Sequence, residues 1–261
     1  MTASAGALTG ALAGRTALVT GAGRGIGRPV SLGLARGSAR VALVARSLPE
    51  LQETAAMIGE LGGQAVVISA DLGERSQLAG VAEWAGAELG PVDILINNAA
   101  VVAPLGASES VNSAHWADAI EVNVIAPATL SLFLLASMRS RGWGRIVNVS
   151  SSIAAHPEAK PGMNAYATSK AALEAHTLNL AAELAGTEIT VSAFQPGSVD
   201  TAVQAWIRDQ DPARIGGALH QRFTQSHEAG TLITAAASAN VLLMHLPTAA
   251  TGQIWEPGPA A

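Results

Sequence analysis

A single rhythm constrains this chain more than any other feature. Short runs of almost continuously apolar residues alternate with longer stretches whose apolar residues recur at helical spacing. The runs 16–20, 40–45, 65–70, 93–97, 145–150 and 189–194 read as strands, with a candidate edge strand at 253–255. The stretches 25–36, 48–61, 74–89, 115–141, 166–184 and 227–245 read as helices. Strands such as Val41-Ala42-Leu43-Val44 and Ile94-Leu95-Ile96 lack the apolar–polar alternation of a sheet with one wet face, so both faces must be covered. Strand–helix alternation with right-handed crossovers then gives an α/β fold. The expected form is a doubly wound parallel sheet of about seven strands, with helices on both faces. No linker divides the chain, so 14–261 reads as a single domain behind a flexible tail at 1–13. In such sheets ligands bind beyond the carboxyl ends of the strands. The segment 200–226 is too long for an ordinary connection at that edge and is expected to form a substrate lid.

Composition narrows the partners. Hydrophobic residues make up 49% of the chain and charged residues 13%, the reverse of a disordered sequence. A formal net charge of −5 offers no electrostatic footprint for nucleic acid or an anionic membrane surface. The absence of cysteine excludes disulfides, thiolate metal sites and cysteine nucleophiles. The six histidines form no pair at metal-ligand spacing, and no metal is expected. No run approaches the roughly 20 uninterrupted apolar residues of a membrane span; the most apolar stretch, 122–138, is broken by Asn123, Pro127, Thr129 and Ser131. Residues 1–14 lack the positively charged start of a signal peptide, so a cytoplasmic location is expected.

The first strand runs into Thr20-Gly21-Ala22-Gly23-Arg24-Gly25-Ile26-Gly27. Glycines between a strand and a helix permit a tight turn and let backbone N–H groups approach a pyrophosphate at the helix N-terminus. The spacing is T-G-x-x-x-G-x-G, framed by Gly21, Gly25 and Gly27, and not a strict G-x-G-x-x-G. The second strand ends at Ala45-Arg46, where an acidic residue would hold a ribose 2′-hydroxyl in many nicotinamide-binding folds. Arg46 and Arg24 instead suit a 2′-phosphate, and so NADP(H) over NAD(H). The alternative is two solvated surface arginines.

Tyr166 is the only tyrosine, and one of only two lysines, Lys170, follows it at i+4, on the same helix face. An ammonium beside a phenol favours the phenolate and lowers its pKa from about 10, which suits a general acid/base. The fifth strand ends in Ser150-Ser151-Ser152, where a hydroxyl could bond a substrate carbonyl; an ordinary serine-rich turn is the alternative. Asn97-Asn98-Ala99-Ala100 closes the fourth strand, and Asn123 interrupts a long apolar helix, where a buried asparagine needs partners.

Taken together, these residues resemble the short-chain dehydrogenase/reductase family, in its short single-domain form, over 15–258. Further markers are Asp71-Leu72 after the third strand and Pro196-Gly197-Ser198-Val199-Asp200-Thr201 after the sixth. The resemblance implies a Rossmann-like fold and an NADP(H)-dependent carbonyl reductase or alcohol dehydrogenase. It implies that Tyr166 is the general acid/base, and that Lys170 lowers its pKa and holds the nicotinamide ribose. Ser151 resembles the serine that polarises the carbonyl, and Asn123 the asparagine that positions a relay water. Gly21, Arg24, Gly25, Ile26, Gly27 and Arg46 would contact the cofactor phosphates. Asp71 and Leu72 would flank the adenine, while Asn98 and Ala99 would line the centre of the cofactor. Pro196, Gly197, Val199 and Thr201 would hold the nicotinamide end. The family also suggests a homotetramer or dimer through the helices 115–141 and 166–185.

Departures are visible. The usual serine position, 13 residues before the tyrosine, is Ile153 here; Ser151 is 15 before it, so the loop 154–163 carries about two extra residues. Ser150 and Ser152 remain alternatives. Asn-Asn-Ala-Gly is replaced by Asn97-Asn98-Ala99-Ala100. His156 is a candidate substrate contact, and Trp255 a candidate pocket, interface or core residue. The competing readings are an epimerase or dehydratase, which would need glycine at Arg24 and more chain, and a non-catalytic nucleotide binder, which would not need the proton relay. Substrate identity stays open.

Overall fold

The computed structural model describes residues 10–258. Seven strands form one parallel sheet: β1 (Thr16–Thr20), β2 (Arg40–Ala45), β3 (Ala65–Ser69), β4 (Ile94–Asn97), β5 (Gly144–Val149), β6 (Ile189–Phe194) and β7 (Ile254–Trp255). Their order is β3-β2-β1-β4-β5-β6-β7, so the order reverses between β1 and β4 and opens a crevice there. The helices before the last strand-forming segments are α1 (Gly27–Arg36), α2 (Leu48–Glu60), α3 (Arg75–Leu89), α4 (Ser113–Ile120), α5 (Ala126–Arg141) and α6 (Asn164–Glu183). After β6 come α7 (Ala202–Arg208), α8 (Pro212–Ile215), α9 (Gly217–Glu228) and α10 (Ala235–His245).

The strands are apolar throughout because alternate side chains enter two different cores. Ala17, Val19, Val41 and Leu43 pack with Val30 and Leu34 of α1, Leu51 of α2 and Leu242 of α10. Leu18, Ala42, Val44 and Leu95 point the other way, onto Leu78 of α3, Leu130 of α5 and Leu180 of α6. A third, smaller cluster lies over the carboxyl edge of the sheet and joins Ile153, Met163 and Leu105 to Ile207, Ile215, Leu219 and Phe223.

Three expectations change on inspection. The segment 200–226 is helical, built from α7, α8 and most of α9, and its buried apolar residues anchor it on the third cluster. The expected helix 227–245 is two helices: Gly230 adopts φ +63 after α9, and the Thr234 hydroxyl accepts from the Ala237 N–H to start α10. The expected tail ends before Leu12, which is buried in the first core and donates its N–H to the Gly37 carbonyl at 2.9 Å. Residues 1–9 of that tail lie outside the described residues.

The helix expected at 115–141 runs from Ser113 to Arg141 through a π turn at Glu121–Ile125, which places Asn123 in the core. It is long and apolar enough to cross a membrane by length and composition, yet it packs between α3, α6 and β5.

Candidate active site

The turn after β1 is braced from three sides. Gly21 and Gly25 take φ +65 and +53, the left-handed region that glycine enters without strain. The Arg28 guanidinium donates to the Gly23 carbonyl at 2.6 and 3.0 Å and to Thr54 Oγ1 at 3.2 Å. Asn98 Nδ2 donates to the carbonyls of Thr20 at 2.9 Å and Gly21 at 3.3 Å. Thr20 Oγ1 accepts from the N–H groups of Asn98 at 2.9 Å and Ala99 at 3.0 Å. Gly27 does not line the cavity described next. A Cβ on it would lie 2.2 Å from the Gly21 carbonyl oxygen and 2.7 Å from Asn98 Nδ2, so its service is close packing of α1 against the turn and not ligand contact.

A cavity of about 650 Å³ runs along the carboxyl edge of the sheet, past this turn. Arg24, Arg46, Asp71 and Leu72 line one end, and Gly21, Gly25, Ile26, Asn98 and Ala99 line its middle. Both arginines are largely exposed and face carboxylates: Arg24 lies 3.4 Å from Glu50, and Arg46 lies 3.9 Å from Asp71. Pro196, Gly197, Val199 and Thr201 line the wall beyond, with Ser151, Tyr166 and Lys170.

Tyr166 is half-buried in the first turn of α6. Burial raises its pKa above the ordinary 10, and the facing Ser151 hydroxyl acts in the opposite sense. The spacing predicts lowering by Lys170; the structure gives the opposite sign, with burial as the main cause, and the phenol stays a proton donor. Lys170 is buried, donates to the Val149 carbonyl at 2.7 Å, and has its Nζ 5.6 Å from the Tyr166 ring centroid. Burial lowers the lysine to about 8, with Glu174 one turn onward pulling the other way. Among the three serines it is Ser151 that faces the phenol. Ser150 is buried with its hydroxyl unpartnered among the described residues.

Asn123 is not on the cavity wall. Its Oδ1 accepts from the Val101 N–H at 2.8 Å, and its Nδ2 donates to the Val101 carbonyl at 2.8 Å and to Ser169 Oγ at 3.0 Å. Ser169 Oγ in turn donates to the Tyr166 carbonyl at 2.8 Å. The side-chain amide therefore ties the loop after β4 to the helix that carries the tyrosine, so by its side chain Asn123 is a positioning residue.

Beneath the cavity Asn97 Nδ2 donates to Asn148 Oδ1 at 2.8 Å, and Asn148 Nδ2 donates to Thr177 Oγ1 at 2.8 Å, crossing from β4 through β5 to α6. His156 is exposed beside Glu158 and off the wall. Trp255 is buried and stacks on His245 with ring centroids 5.2 Å apart, a core residue. Lys160, Gln204, Ile207 and Phe223 also line the cavity; sequence reasoning places Lys160 in the loop beside the site and Ile207 and Phe223 in the lid without assigning them a contact, and it misses Gln204. The apolar residues of 200–226 were the available signal for Ile207 and Phe223. Among the described residues no group of three acidic or histidine side chains is gathered as a metal site.

A short chain dehydrogenase family model matches residues 15–212. This chain belongs to the short chain dehydrogenase family. As a member it is 41% identical over 173 residues to a short chain dehydrogenase of Pseudocercospora fijiensis, covering 66% of this chain and 55% of that one; it thus spans about half the length of that relative. It is 32% identical over 226 residues to nodulation protein G of Rhizobium sp. strain N33, covering 85% and 89%. A crystal structure from Beutenbergia cavernae, assigned as an NAD(P)-dependent gluconate 5-dehydrogenase with NADP bound at low occupancy, superposes with a TM-score of 0.81 at 34% identity, over 94% of this short chain dehydrogenase and 95% of the other. A 7α-hydroxysteroid dehydrogenase solved with NADH and 7-oxo glycochenodeoxycholic acid gives 0.79 at 28% identity, over 94% and 93%.

Proposed function

We propose that this protein is an NADP(H)-dependent oxidoreductase that interconverts a carbonyl and a secondary alcohol, with Tyr166 as general acid and base. One observation carries the reading: Ser151, Tyr166 and Lys170 share a wall of a single cavity that continues past a glycine turn at the switch point of a parallel sheet.

The residues present fit a dinucleotide. A Cβ on Gly25, which lines the cavity, would meet nothing nearer than Thr201 Cγ2 at 3.8 Å, so the turn is bare where a pyrophosphate would approach. Ser150 and Gln204, both on the wall, each carry a buried polar atom without a partner among the described residues. Gly21, Gly25 and Ile26 would receive the pyrophosphate, Asp71 and Leu72 the adenine, Asn98 and Ala99 the ribose beyond it, and Pro196, Gly197, Val199 and Thr201 the nicotinamide end. Arg24 and Arg46 would exchange their carboxylate neighbours for the 2′-phosphate of NADP(H).

Bound there, the nicotinamide supplies or accepts the hydride. Ser151 donates a hydrogen bond to the substrate carbonyl oxygen, and Tyr166 gives that oxygen its proton as the carbonyl carbon becomes an alcohol carbon. Burial keeps the phenol protonated, the form in which it can give that proton. Lys170, fixed by the Val149 carbonyl, places positive charge beside the phenolate that results. The helices α7 to α9 cover this end as the substrate lid. The half-exposed Leu132 and Phe133 on α5 and Leu178 on α6 suit a homo-oligomer, which light scattering would reveal.

Titration with NADPH and NADH, followed by nicotinamide fluorescence, tests the reading. Tighter NADPH binding is the expected result. Preference for NADH would remove the arginine argument, and binding of neither would refute the oxidoreductase assignment.

A further inference from the structure

The second lysine of the chain is absorbed by none of the chemistry above. Lys160 sits in the loop between β5 and α6 and lines the same cavity as Tyr166. Its Nζ lies 5.7 Å from the ring centroid of Phe223 in α9, so its stem runs under the lid. No carboxylate lies within ion-pair distance of it among the described residues, and no hydrogen-bond acceptor is assigned to its ammonium there. Its charged neighbour is a second cation: Arg222, also on α9, donates to the Ala159 carbonyl at 2.9 Å and lowers the lysine's proton affinity further than burial alone does. Val102, Met163, Ile207 and Phe223, members of the apolar cluster under the lid, line the same cavity.

A half-buried ammonium with a like-charged neighbour and no counter-ion is costly to keep unless something negative arrives. On a chain of net charge −5, with only two lysines, carboxylates are the more abundant charges, and yet none among the described residues meets this one. We infer that the substrate of this enzyme carries a carboxylate remote from its reacting carbonyl, and that Lys160 is the residue that binds it when the lid is in place. The inference rests on the carbonyl-reductase reading and deepens it. The apolar wall between Lys160 and Tyr166 would hold the aliphatic segment that separates the two groups, which makes an oxo-acid the substrate class. Arg222 adds field without being aimed at the cavity, since it is not on the wall.

The test uses a ladder of oxo-acids, from 4-oxopentanoate to 8-oxononanoate, each with its methyl ester, assayed with NADPH on the wild-type protein, Lys160→Gln and Lys160→Arg. At the matching length the acid should exceed its ester in kcat/KM by about 10- to 100-fold, the range of a charge-assisted hydrogen bond. Lys160→Gln should bring that ratio to about one through KM, leaving turnover of the ester intact, and Lys160→Arg should restore part of it. A ratio near one at every length in the wild type overturns the inference while leaving the reductase reading standing. So does a ratio that Lys160→Gln does not change, or an equal loss of NADPH affinity in Lys160→Gln, which would make the lysine a cofactor contact. If neither acids nor esters turn over, calorimetry of the acids on the NADP-saturated protein separates the two claims. Binding lost in Lys160→Gln keeps the carboxylate site and sinks the reduction, whereas no binding sinks the site.

Discussion

Thr20→Val replaces a hydroxyl by a methyl at nearly constant volume, at a residue that touches the cavity only through others. Thr20 is 1% exposed, and its Oγ1 accepts from the N–H groups of Asn98 and Ala99 while lying 3.4 Å from the Ile96 carbonyl. Losing the oxygen affects the two donors unequally. The Asn98 N–H keeps the Ile96 carbonyl at 3.1 Å, so it loses one arm of a shared bond. The Ala99 N–H has no second acceptor among the described residues and is orphaned. An orphaned donor costs about 1–3 kcal/mol and a weakened shared bond about 0.5–1 kcal/mol, so the total is about 1.5–4 kcal/mol. For a chain of this size that shifts Tm by roughly 3–16 °C. Thr20→Ser keeps the oxygen and forfeits only a methyl, about 1 kcal/mol. Calorimetric or denaturant unfolding of the three proteins should therefore rank wild type, Thr20→Ser and Thr20→Val in falling stability. NADPH affinity should fall with them, because Asn98 and Ala99 line the cavity and Asn98 holds the glycine turn. If Thr20→Val is as stable as wild type and Thr20→Ser is the weaker variant, the methyl and not the hydrogen bonds holds this joint.

Tyr166→Phe should cut carbonyl reduction by about 10²–10⁴-fold, the usual share of a general acid, with NADPH binding by fluorescence largely kept; retained turnover would disprove the proton route. Ser151→Ala should lower kcat by about 10²–10³-fold. Ser150→Ala should leave kcat near wild type and the stability of the unliganded protein within about 1 kcal/mol, since its hydroxyl has no partner until a ligand arrives, and should weaken NADPH binding instead; the reverse pattern would reassign the serine. Arg46→Asp should weaken NADPH binding by at least about tenfold and spare NADH, and equal losses would refute the phosphate contact. With Lys170 at about 8, kcat/KM for reduction should decline as pH rises through 8 and the ammonium is lost. In the folded chain Lys170 gives up its proton below its ordinary 10.5, so between 8 and 10.5 the unfolded chain binds more protons and stability rises with pH. That rise, read as the difference between wild type and Lys170→Met in urea unfolding, should vanish in the variant; a fall instead would contradict the burial argument.

Much of this fold was legible because the signals were local. Near-continuous apolar runs named the six long strands, and the glycines marked the crevice between β1 and β4. What escaped was tertiary. The helices α7 to α9 have a weakly apolar composition, and only their packing on Ile153 and Met163 shows which side faces the cavity. The break between α9 and α10 rests on Gly230 in the left-handed region and on the capping hydroxyl of Thr234, single residues that a reading by apolar periodicity passes over. Lys160 was visible as a loop residue, but its direction depends on Phe223, 63 residues away. The Tyr166–Lys170 spacing was readable, whereas the sign of the tyrosine's shift was not, because burial is a property of the whole wall. Asn123 drew notice as a poor helix former, and its partner Val101 shows why it is tolerated.

The bonded pair Asn97–Asn148 has a consequence for how the chain avoids error while folding. Strands with apolar residues on both faces give little reason to prefer one alignment to another, since a slipped strand still buries Val, Ile and Leu. Asn97 and Asn148 are aligned partners in β4 and β5. Slide the strands by one step and Asn97 meets Val147 or Val149, while Asn148 loses Asn97 for Ile96 in one direction and Asn98 in the other, with roughly 1–3 kcal/mol lost per stranded polar group. Two asparagines under the cavity thus act as a counting mark that hydrophobicity cannot supply, and they make a misaligned site an unstable one.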